Sequence, residues 1–392
     1  MALVRSFMRI PTIVEFGNGK RTMVGDIAAN YGGKAYCIID PVFKGTGAAQ
    51  SILDSIHAHG IETIENYGVS ANPRASIMDE KAAECKENGC TFVVAMGGGS
   101  CLDIGKAVAM LVTNGRGAWD YATVENHKFY DVEVPPLPLI VLPTTSGTGS
   151  EGTIYSVVTS PELQRKCTIR SFYMYPAYAV IDPELMVGIP PMLTALTGID
   201  TFAHAYESYM NKNATAFSRM IAMESMRLFV ENIDECVHNG KNPEARGAMA
   251  QASLFGGIAI AHSPTTLPHI IGQCLSGWVD APHGGSLTCC LAQVIRWMVP
   301  EGKEDHARIA RLFNKDLMTA DDETAALALP DEIDKLFARI LPEKITMSTY
   351  GMDPDRIEEF ADFIYDNYQG DLRNNLKSPS REDIRTIVKE CM

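Results

Sequence analysis

The stretch T-F-V-V-A-M-G-G-G-S-C-L-D-I-G-K, from Thr91 to Lys106, passes from an apolar segment through three glycines into a helical pattern. Thr91–Met96 is continuously apolar after its first residue, which is typical of a strand buried on both faces of a parallel sheet. Cys101–Thr113 is predicted to be a helix. A strand that leads through a glycine turn into a helix indicates a βαβ unit.

The segments on both sides of this stretch repeat the alternation of strand and helix. Strands are predicted at Lys34–Asp40, Ile61–Tyr67, Leu139–Leu142 and Ala177–Ile181, and helices at Thr46–His59 and Ile77–Asn88. We therefore predict an α/β domain with a parallel sheet. Ligands of such sheets bind beyond the carboxyl ends of the strands, where Asp40, the glycines and the loop Thr144–Ser150 are expected.

The pattern changes after Pro190 and Pro191, because the following segments are long and helical and none is a convincing strand. Helices are predicted at Thr194–Met210, Thr215–Val230, Pro243–Ala261, Thr288–Trp297, Glu304–Phe313, Thr319–Ala328, Asp331–Ile340, Pro354–Tyr368 and Arg381–Glu390. We expect two domains, an α/β domain of residues 1–190 and an all-helical domain of residues 191–392.

The composition limits the class of partner. With 392 residues, 46% apolar and 21% charged, the chain can bury a large core. A net charge of −14 argues against nucleic acid or an anionic membrane as a partner. The ten cysteines include no C-x-x-C pair, Met1–Arg9 lacks the apolar core of a secretory signal, and no apolar run reaches the roughly 18 residues of a membrane helix. We expect a cytoplasmic protein with reduced thiols.

A possible metal site lies in the second half of the chain. Asp200 and His204 are four residues apart, which places them on one face of a helix, and His269 and His283 follow. One carboxylate and three imidazoles suit iron, zinc, cobalt or nickel. Taken singly, Asp200 could cap a helix, His204 could be a core histidine, and His269 and His283 could lie at a helix start and a turn.

The polar residues at the predicted strand ends suit a nucleotide. Gly97–Ser100 opens a helix, so its backbone N–H groups could bind a pyrophosphate, although a triple glycine can also be only a tight turn. Asp40 could bind ribose hydroxyls and repel a 2′-phosphate, or it could cap the turn at Pro41. The hydroxyl-rich loop Thr144–Ser150 could hold a cofactor or be a solvated loop, and Lys166 could be an ordinary surface lysine.

Four motifs in the same order resemble those of the iron-containing alcohol dehydrogenase family, also called the group III metal-dependent alcohol dehydrogenases. They are G-G-G-S-C-L-D-I-G-K at 97–106, P-T-T-S-G-T-G-S-E at 143–151, T-G-I-D-T-F-A-H-A-Y-E-S-Y at 197–209, and P-H-G at 282–284. The resemblance is collinear from about residue 7 to the C-terminus.

The resemblance implies a fold and an activity. It implies an N-terminal Rossmann-like domain for the dinucleotide, an all-helical C-terminal domain as in dehydroquinate synthase, and an active site in the cleft between them. The activity would be reversible hydride transfer between NAD(H) and a small primary alcohol or aldehyde. The expected metal is Fe²⁺, with Zn²⁺ as the alternative. NAD(H) is expected to be favoured over NADP(H), and a homodimer or a higher homo-oligomer is expected.

The resemblance also implies site residues. The metal ligands would be Asp200, His204, His269 and His283. The contacts to the dinucleotide would be Asp40, Asn72, Gly98, Gly99, Ser100, Thr144, Thr145, Thr148 and Lys166.

Some positions depart from the family pattern. Many members carry a second histidine four residues after the third ligand, where this chain has Gln273, and an amide cannot act as a general acid or base. Ile260 and His262 replace a phenylalanine and an asparagine found in many members. We hypothesise a substrate pocket formed by Tyr155, Val157, Thr168, Ile260, His262 and Gln273. His262 would suit a substrate with a second polar or anionic group.

Two other classes of function remain open from the sequence. The first is a relative with different chemistry, such as a glycerol dehydrogenase or the lyase dehydroquinate synthase. The second is a non-catalytic role, as part of a filament or as a metal store.

Overall fold

A computed structural model describes residues 7–124 and 128–392, which form two compact units. One unit is Ile10–Gly188, and the other comprises Ile189–Met392 together with the segment that precedes Ile10. The division therefore lies two residues before the predicted one, and residues 7–9 belong with the helical unit rather than with the sheet. They do so because the backbone N–H of Arg9 donates a hydrogen bond to Nε2 of His262, 2.9 Å away.

The sheet unit alternates strands and helices, as expected. Its elements are β1 (Ile13–Phe16), α1 (Val24–Ala28), β2 (Lys34–Ile39), α2 (Gly47–His57), β3 (Glu62–Asn66), α3 (Ala75–Glu87), β4 (Phe92–Gly97), α4 (Gly99–Asn114), β5 (Leu139–Pro143), β6 (Tyr155–Ser160), β7 (Arg165–Arg170) and β8 (Tyr178–Ile181). Six strands form one parallel sheet in the order β1-β8-β5-β4-β2-β3. The predicted parallel α/β architecture is confirmed.

The strand register places the predicted nucleotide residues at one edge of the sheet. Gly97 at the end of β4 pairs with Pro143 at the end of β5. The backbone N–H of Asp40 donates to the carbonyl of Met96 at 2.9 Å, and that of Thr144 donates to the carbonyl of Gly97 at 3.0 Å. The carboxyl ends of β2, β4 and β5 are therefore level, and three predicted binding segments leave the sheet side by side.

Three strands were not predicted from the sequence. Strand β1 is short, lies at the edge of the sheet and is only partly buried, so it lacks the continuous apolar run of a central strand. Strands β6 and β7 form a separate antiparallel hairpin. Buried and part-exposed residues alternate in the first half of β6, and polar residues interrupt both strands, which weakens the apolar signal.

The second unit is helical, and no strand occurs among its described residues. Its helices are α5 (Pro191–Met210), α6 (Ala216–His238), α7 (Pro243–His262), α8 (Leu267–Val279), α9 (His283–Met298), α10 (Lys303–Phe313), α11 (Asp322–Ile340), α12 (Ile357–Asn367), α13 (Gln369–Leu372) and α14 (Arg381–Glu390). Its core includes Phe202, which packs on Phe229 and Phe313 with ring centroids 5.3 Å apart in each pair. None of the described helices combines the length and the apolar character needed to cross a bilayer.

Helices α8, α9 and α11 correct the sequence-based assignments. Helix α8 was missed because Pro268 and two glycines suggest a loop, but a proline in the first helical turn removes no helical hydrogen bond. Helix α9 begins at His283, earlier than the predicted Thr288. The two helices predicted around 319–340 are one helix, α11, with Pro330 inside it. Burial of Leu329, Pro330 and the next turns of α11 offsets the cost of that proline, about 3 kcal/mol.

Candidate active site

Three helices of the helical unit bring the four predicted metal ligands together. Asp200 and His204 lie on α5, His269 is in the first turn of α8, and His283 is the first residue of α9. One donor atom from each of the four side chains lies within 4.8 Å of all the others. The i, i+4 spacing on α5 thus supplies half of a cluster that two helix starts complete.

The distances in this cluster fit a divalent ion. Oδ1 of Asp200 lies 3.5 Å from Nε2 of His204, 3.4 Å from Nε2 of His269 and 3.6 Å from Nε2 of His283. Ligands bound tetrahedrally at about 2.1 Å from an ion are about 3.4 Å apart. The four side chains are therefore spaced as ligands of one ion.

Two buried atoms in the cluster need a partner. Among the described residues, Oδ1 of Asp200 and Nε2 of His269 are buried and have no hydrogen-bond partner. A buried polar atom without a partner is costly, and a cation between the two atoms would satisfy both. Asp200, His204 and His269 are buried, whereas 25% of the His283 side chain is exposed. The cluster is therefore most open on the side of His283.

The electrostatics of the cluster favour a cation. Burial opposes the charge of Asp200, but the imidazoles around it, led by His204, hold the pKa of its carboxyl well below its usual value. Burial likewise opposes a charge on His269, but Glu207 and Asp200 together raise the pKa of its imidazole to about 9. Anionic groups thus surround His269, and a divalent ion could take the place of the proton on its Nε2.

Glu207 is a site residue that the sequence analysis missed. Its fully buried carboxylate lies at hydrogen-bond distance from Nδ1 of His269, and it accepts from the backbone N–H of Thr266 at 2.6 Å. The available signal was its spacing, because Glu207 follows His204 by three residues and Asp200 by seven on one helix.

At the edge of the sheet, the glycine turn packs directly against the hydroxyl-rich loop. A Cβ atom added to Gly98 would lie 3.4 Å from Cγ2 of Thr145, and one added to Gly99 would lie 2.4 Å from Cγ2 of Thr148. Larger residues at Gly99 would displace the loop. Both glycines and both threonines remain partly exposed, and the glycines stand at the N-terminus of the 16-residue helix α4. This arrangement suits an anionic group approached closely by backbone.

The remaining predicted nucleotide contacts take defined positions. Oδ1 of Asp40 accepts from the N–H of Val42 at 3.1 Å and so caps the turn at Pro41, as one of the two predicted roles of Asp40 requires. This hydrogen bond uses one carboxylate oxygen and does not test binding of a ribose. Lys166 is buried rather than on the surface, and it donates to Oδ1 of Asn72 at 3.0 Å. Thr144 is buried, and Ser100 is partly exposed in the first turn of α4.

Two family profiles cover almost the whole chain. The profile described as "Iron-containing alcohol dehydrogenase" matches residues 11–183, and that described as "Fe-containing alcohol dehydrogenase family, C-terminal" matches residues 194–392. The chain belongs to the iron-containing alcohol dehydrogenase family. It is thus an oxidoreductase that acts on CH–OH groups, and the resemblance inferred from the four motifs is confirmed.

Three similar proteins illustrate the range of this alcohol dehydrogenase family. A choline dehydrogenase of Bacillus subtilis is 32% identical over 353 residues, 90% of this chain and 87% of that protein. An archaeal halo-thermophilic alcohol dehydrogenase from a Red Sea brine pool has a structure with a TM-score of 0.94 and 27% identity, covering 100% of both chains. A sulfoacetaldehyde reductase of Bifidobacterium kashiwanohense, solved with NAD⁺, has a TM-score of 0.84 and 28% identity, covering 98% of both chains.

In this alcohol dehydrogenase, three of the predicted pocket residues share one face of the β6–β7 hairpin. Val157 lies directly opposite Thr168, and Tyr155 is two residues before Val157 on the same face. All three are partly exposed, whereas their neighbours Ser156 and Val158 are buried. The face they form is therefore partly exposed, while the opposite face of the hairpin is buried at these two neighbours.

The other predicted pocket residues lie in the helical unit. Gln273 follows His269 by one turn of α8 and is partly exposed, and Ile260 is buried on α7. His262 donates from Nδ1 to the carbonyl of Ile258 at 2.7 Å, while its Nε2 accepts from Arg9. Both ring nitrogens of His262 thus form hydrogen bonds with backbone groups. For His262 to bind a substrate through Nε2, as predicted, the hydrogen bond from the N–H of Arg9 would have to break.

A buried lysine beneath the loop of the sheet unit was also not singled out from the sequence. Nζ of Lys106 donates to the carbonyls of Ser150, Thr153 and Tyr155 at 2.6, 3.0 and 2.8 Å. It also contacts the hydroxyls of Ser150 and Thr153, both at 2.9 Å. Lys106 therefore ties helix α4 to the segment that follows the hydroxyl-rich loop.

Proposed function

We propose that this chain catalyses reversible hydride transfer between NAD(H) and a small primary alcohol or aldehyde, using Fe²⁺ or Zn²⁺ at one site. The ion would be held by the cluster of Asp200, His204, His269 and His283. The observation that carries the proposal is the convergence of their four donor atoms within 4.8 Å, with two of these atoms buried and lacking a hydrogen bond. When bound, the ion supplies Lewis-acid polarisation of the substrate oxygen, and the nicotinamide carries the hydride.

The residues of the sheet unit are proposed to bind and orient the dinucleotide. Backbone N–H groups at Gly99 and Ser100 would bind the pyrophosphate, aided by the dipole of α4. Asp40 has one carboxylate oxygen on its own turn, and we propose that the other accepts from ribose hydroxyls. Its negative charge would repel a 2′-phosphate, which supports NAD(H) over NADP(H). Thr145 and Thr148 line the same edge of the sheet.

Hydride transfer to or from the substrate is accompanied by transfer of a proton. The side chain of Gln273 cannot carry this proton, so the proton needs another route. An amide neither gives up nor takes a proton at neutral pH, although it can orient a water molecule or a hydroxyl by hydrogen bonding. We therefore propose that the proton moves through water or a ribose hydroxyl. The position of Gln273, one turn after His269 and partly exposed, is compatible with such an orienting role.

We further propose that the substrate carries a second polar or charged group. Two of the similar proteins are named for compounds that carry a charged group as well as the alcohol or aldehyde. Choline has a quaternary ammonium, and sulfoacetaldehyde has a sulfonate. The part-exposed face of Tyr155, Val157 and Thr168 offers hydroxyl groups to a polar substituent.

The proposed function can be tested with metal-free protein reconstituted anaerobically with Fe²⁺ or Zn²⁺. Propanal, 3-hydroxypropanal and sulfoacetaldehyde are offered with NADH or with NADPH, and loss of the reduced-nicotinamide absorbance is followed. We expect turnover that requires the metal and NADH, and faster turnover of the two aldehydes that carry a second polar group. Absence of turnover with every aldehyde and both metals would refute the proposal.

Gly99→Ala is expected to raise the KM for NADH by about 10- to 100-fold. The added Cβ would lie 2.4 Å from Cγ2 of Thr148, so the loop must move away from the glycine turn. Overpacking of this kind costs about 1–3 kcal/mol, which corresponds to that range of affinity. Steady-state kinetics with NADH measures the change.

The matched control for Gly99→Ala is the double variant Gly99→Ala/Thr148→Ser. Serine lacks the methyl group that makes the closest approach, and it keeps a hydroxyl that can accept from the N–H of Ser150, as Thr148 does at 3.3 Å. We expect this second change to restore most of the affinity for NADH. An unchanged KM in the single variant would mean that the loop and the glycine turn do not bind the cofactor together.

A further inference from the structure

Glu207 connects the proposed metal site to the start of another helix. It lies on α5 with Asp200 and His204, and the spacing of seven and three residues places all three on one face of that helix. Its side chain is fully buried and contacts His269 of the cluster, but Glu207 is not one of the four residues whose donor atoms converge. A buried carboxylate in that position needs several donors, and it has them.

The two carboxylate oxygens of Glu207 have different partners. Oε1 faces Nδ1 of His269. Oε2 accepts from the N–H of Thr266 at 2.6 Å, from its hydroxyl at 3.2 Å and from the N–H of His269 at 3.4 Å. These N–H groups belong to the N-terminus of α8, where the helix dipole and unpaired donors favour a negative charge. Oε2 is therefore satisfied as an acceptor by three donors, which leaves Oε1 to face His269.

With Oε1 of Glu207 as the acceptor, the hydrogen of a neutral His269 imidazole lies on Nδ1. In that tautomer Nε2 carries the lone pair that a metal ion needs, and it lies 3.4 Å from Oδ1 of Asp200. We propose that Glu207 is a positioning residue that fixes the tautomer and the ring orientation of His269 for a divalent ion. The inference rests on the metal-binding part of the proposed function and extends it to a residue that would not touch the ion.

Glu207→Gln tests this role with little change of shape. If the amide oxygen takes the place of Oε2 at Thr266, the NH₂ group faces Nδ1 of His269 and can only donate to it. The imidazole must then carry its hydrogen on Nε2, where a metal ligand needs a lone pair. If instead the amide oxygen faces Nδ1 of His269, the NH₂ group faces the N–H groups of Thr266 and His269, and the start of α8 loses its acceptor. Either arrangement weakens the metal site.

The experiment is a Co²⁺ titration of metal-free protein, followed by the visible absorption of bound cobalt. We expect Glu207→Gln to bind Co²⁺ about 10- to 100-fold more weakly than the wild type. Thr266→Val is the matched control, because it removes one donor to the same carboxylate and leaves the contact with His269 in place. Its Co²⁺ affinity should stay close to that of the wild type. Equal Co²⁺ affinities of Glu207→Gln and wild type would overturn the inference.

A measurement on the wild type covers the case in which Glu207→Gln does not fold. In zinc-loaded protein with ¹⁵N-labelled histidine, the hydrogen on Nδ1 of His269 should resonate downfield and resist exchange with solvent. A rapidly exchanging hydrogen there contradicts the inference, even if zinc binds. Failure of the wild type to bind either Co²⁺ or Zn²⁺ would contradict the proposed function itself, so the two failures are distinguishable.

Discussion

Asp200→Asn is expected to lower kcat/KM for an aldehyde by about 10³-fold or more, because it removes the one carboxylate of the cluster that we propose holds the ion. Oδ1 of Asp200 lies within 3.6 Å of Nε2 of all three histidines, so it is the atom that the imidazoles share. A neutral amide cannot offset the charge of a divalent ion among three imidazoles in a buried site. Stabilisation of charge by a bound ion amounts to several kcal/mol, and each 1.36 kcal/mol is a factor of about ten in rate.

The measurement for Asp200→Asn combines the metal content after gel filtration with steady-state kinetics. Glu301→Gln is the control, since Glu301 is an exposed carboxylate in the same unit. That variant should retain metal and activity. If Asp200→Asn kept both a stoichiometric ion and wild-type kcat/KM, the four side chains would not be the ligands of a catalytic ion.

The central part of the fold could be predicted because its signals are local. Strands β2, β4 and β5 are nearly continuous apolar runs, and each is followed directly by a polar residue or a glycine, namely Asp40, Gly98 and Thr144. The edge strand β1 and the β6–β7 hairpin lack that signal, because an edge or hairpin strand buries only part of its surface. Helix α8 is stabilised by tertiary contacts such as that of Glu207 with its N-terminus, which no local propensity reports.

The candidate site shows the same limit. Asp200 and His204 could be placed together from their spacing, since i and i+4 share a helix face. Spacing alone could not show that His269 and His283 lie beside Asp200, and the family resemblance supplied that prediction. The two histidines stand at the starts of helices α8 and α9, far along the chain from Asp200. Contacts between distant segments, such as that of Arg9 with His262, left no local pattern in the sequence. Glu207 lies within the motif at 197–209, but its contacts with Thr266 and His269 are seen only in the structure.

Lys106 illustrates a structural role inside a binding motif. It is 1% exposed, and burial lowers the pKa of its ammonium to about 8 although Asp103 and Glu151 favour its charge. Burial also raises the pKa of the Glu151 carboxyl to about 7. Asp103 is held in turn by the hydroxyl of Ser150, which donates to it at 2.9 Å. Lys106, Asp103 and Glu151 are all buried, so the charge on each is stabilised by the opposite charge of its neighbours.

Lys106→Met is therefore expected to lower the free energy of unfolding by about 3–5 kcal/mol, the usual effect of removing one partner from a buried charged network. Methionine leaves the carbonyls of Ser150, Thr153 and Tyr155 without their donor. Lys81→Met is the matched control, since Lys81 is 3% exposed and donates to Oδ1 of Asn66, at 2.6 Å. Its loss should cost about 1.5–3 kcal/mol, the value of a hydrogen bond from a charged group. Urea unfolding followed by fluorescence measures both variants, and equal losses would show that Lys106 supports the loop no more than an ordinary buried lysine does.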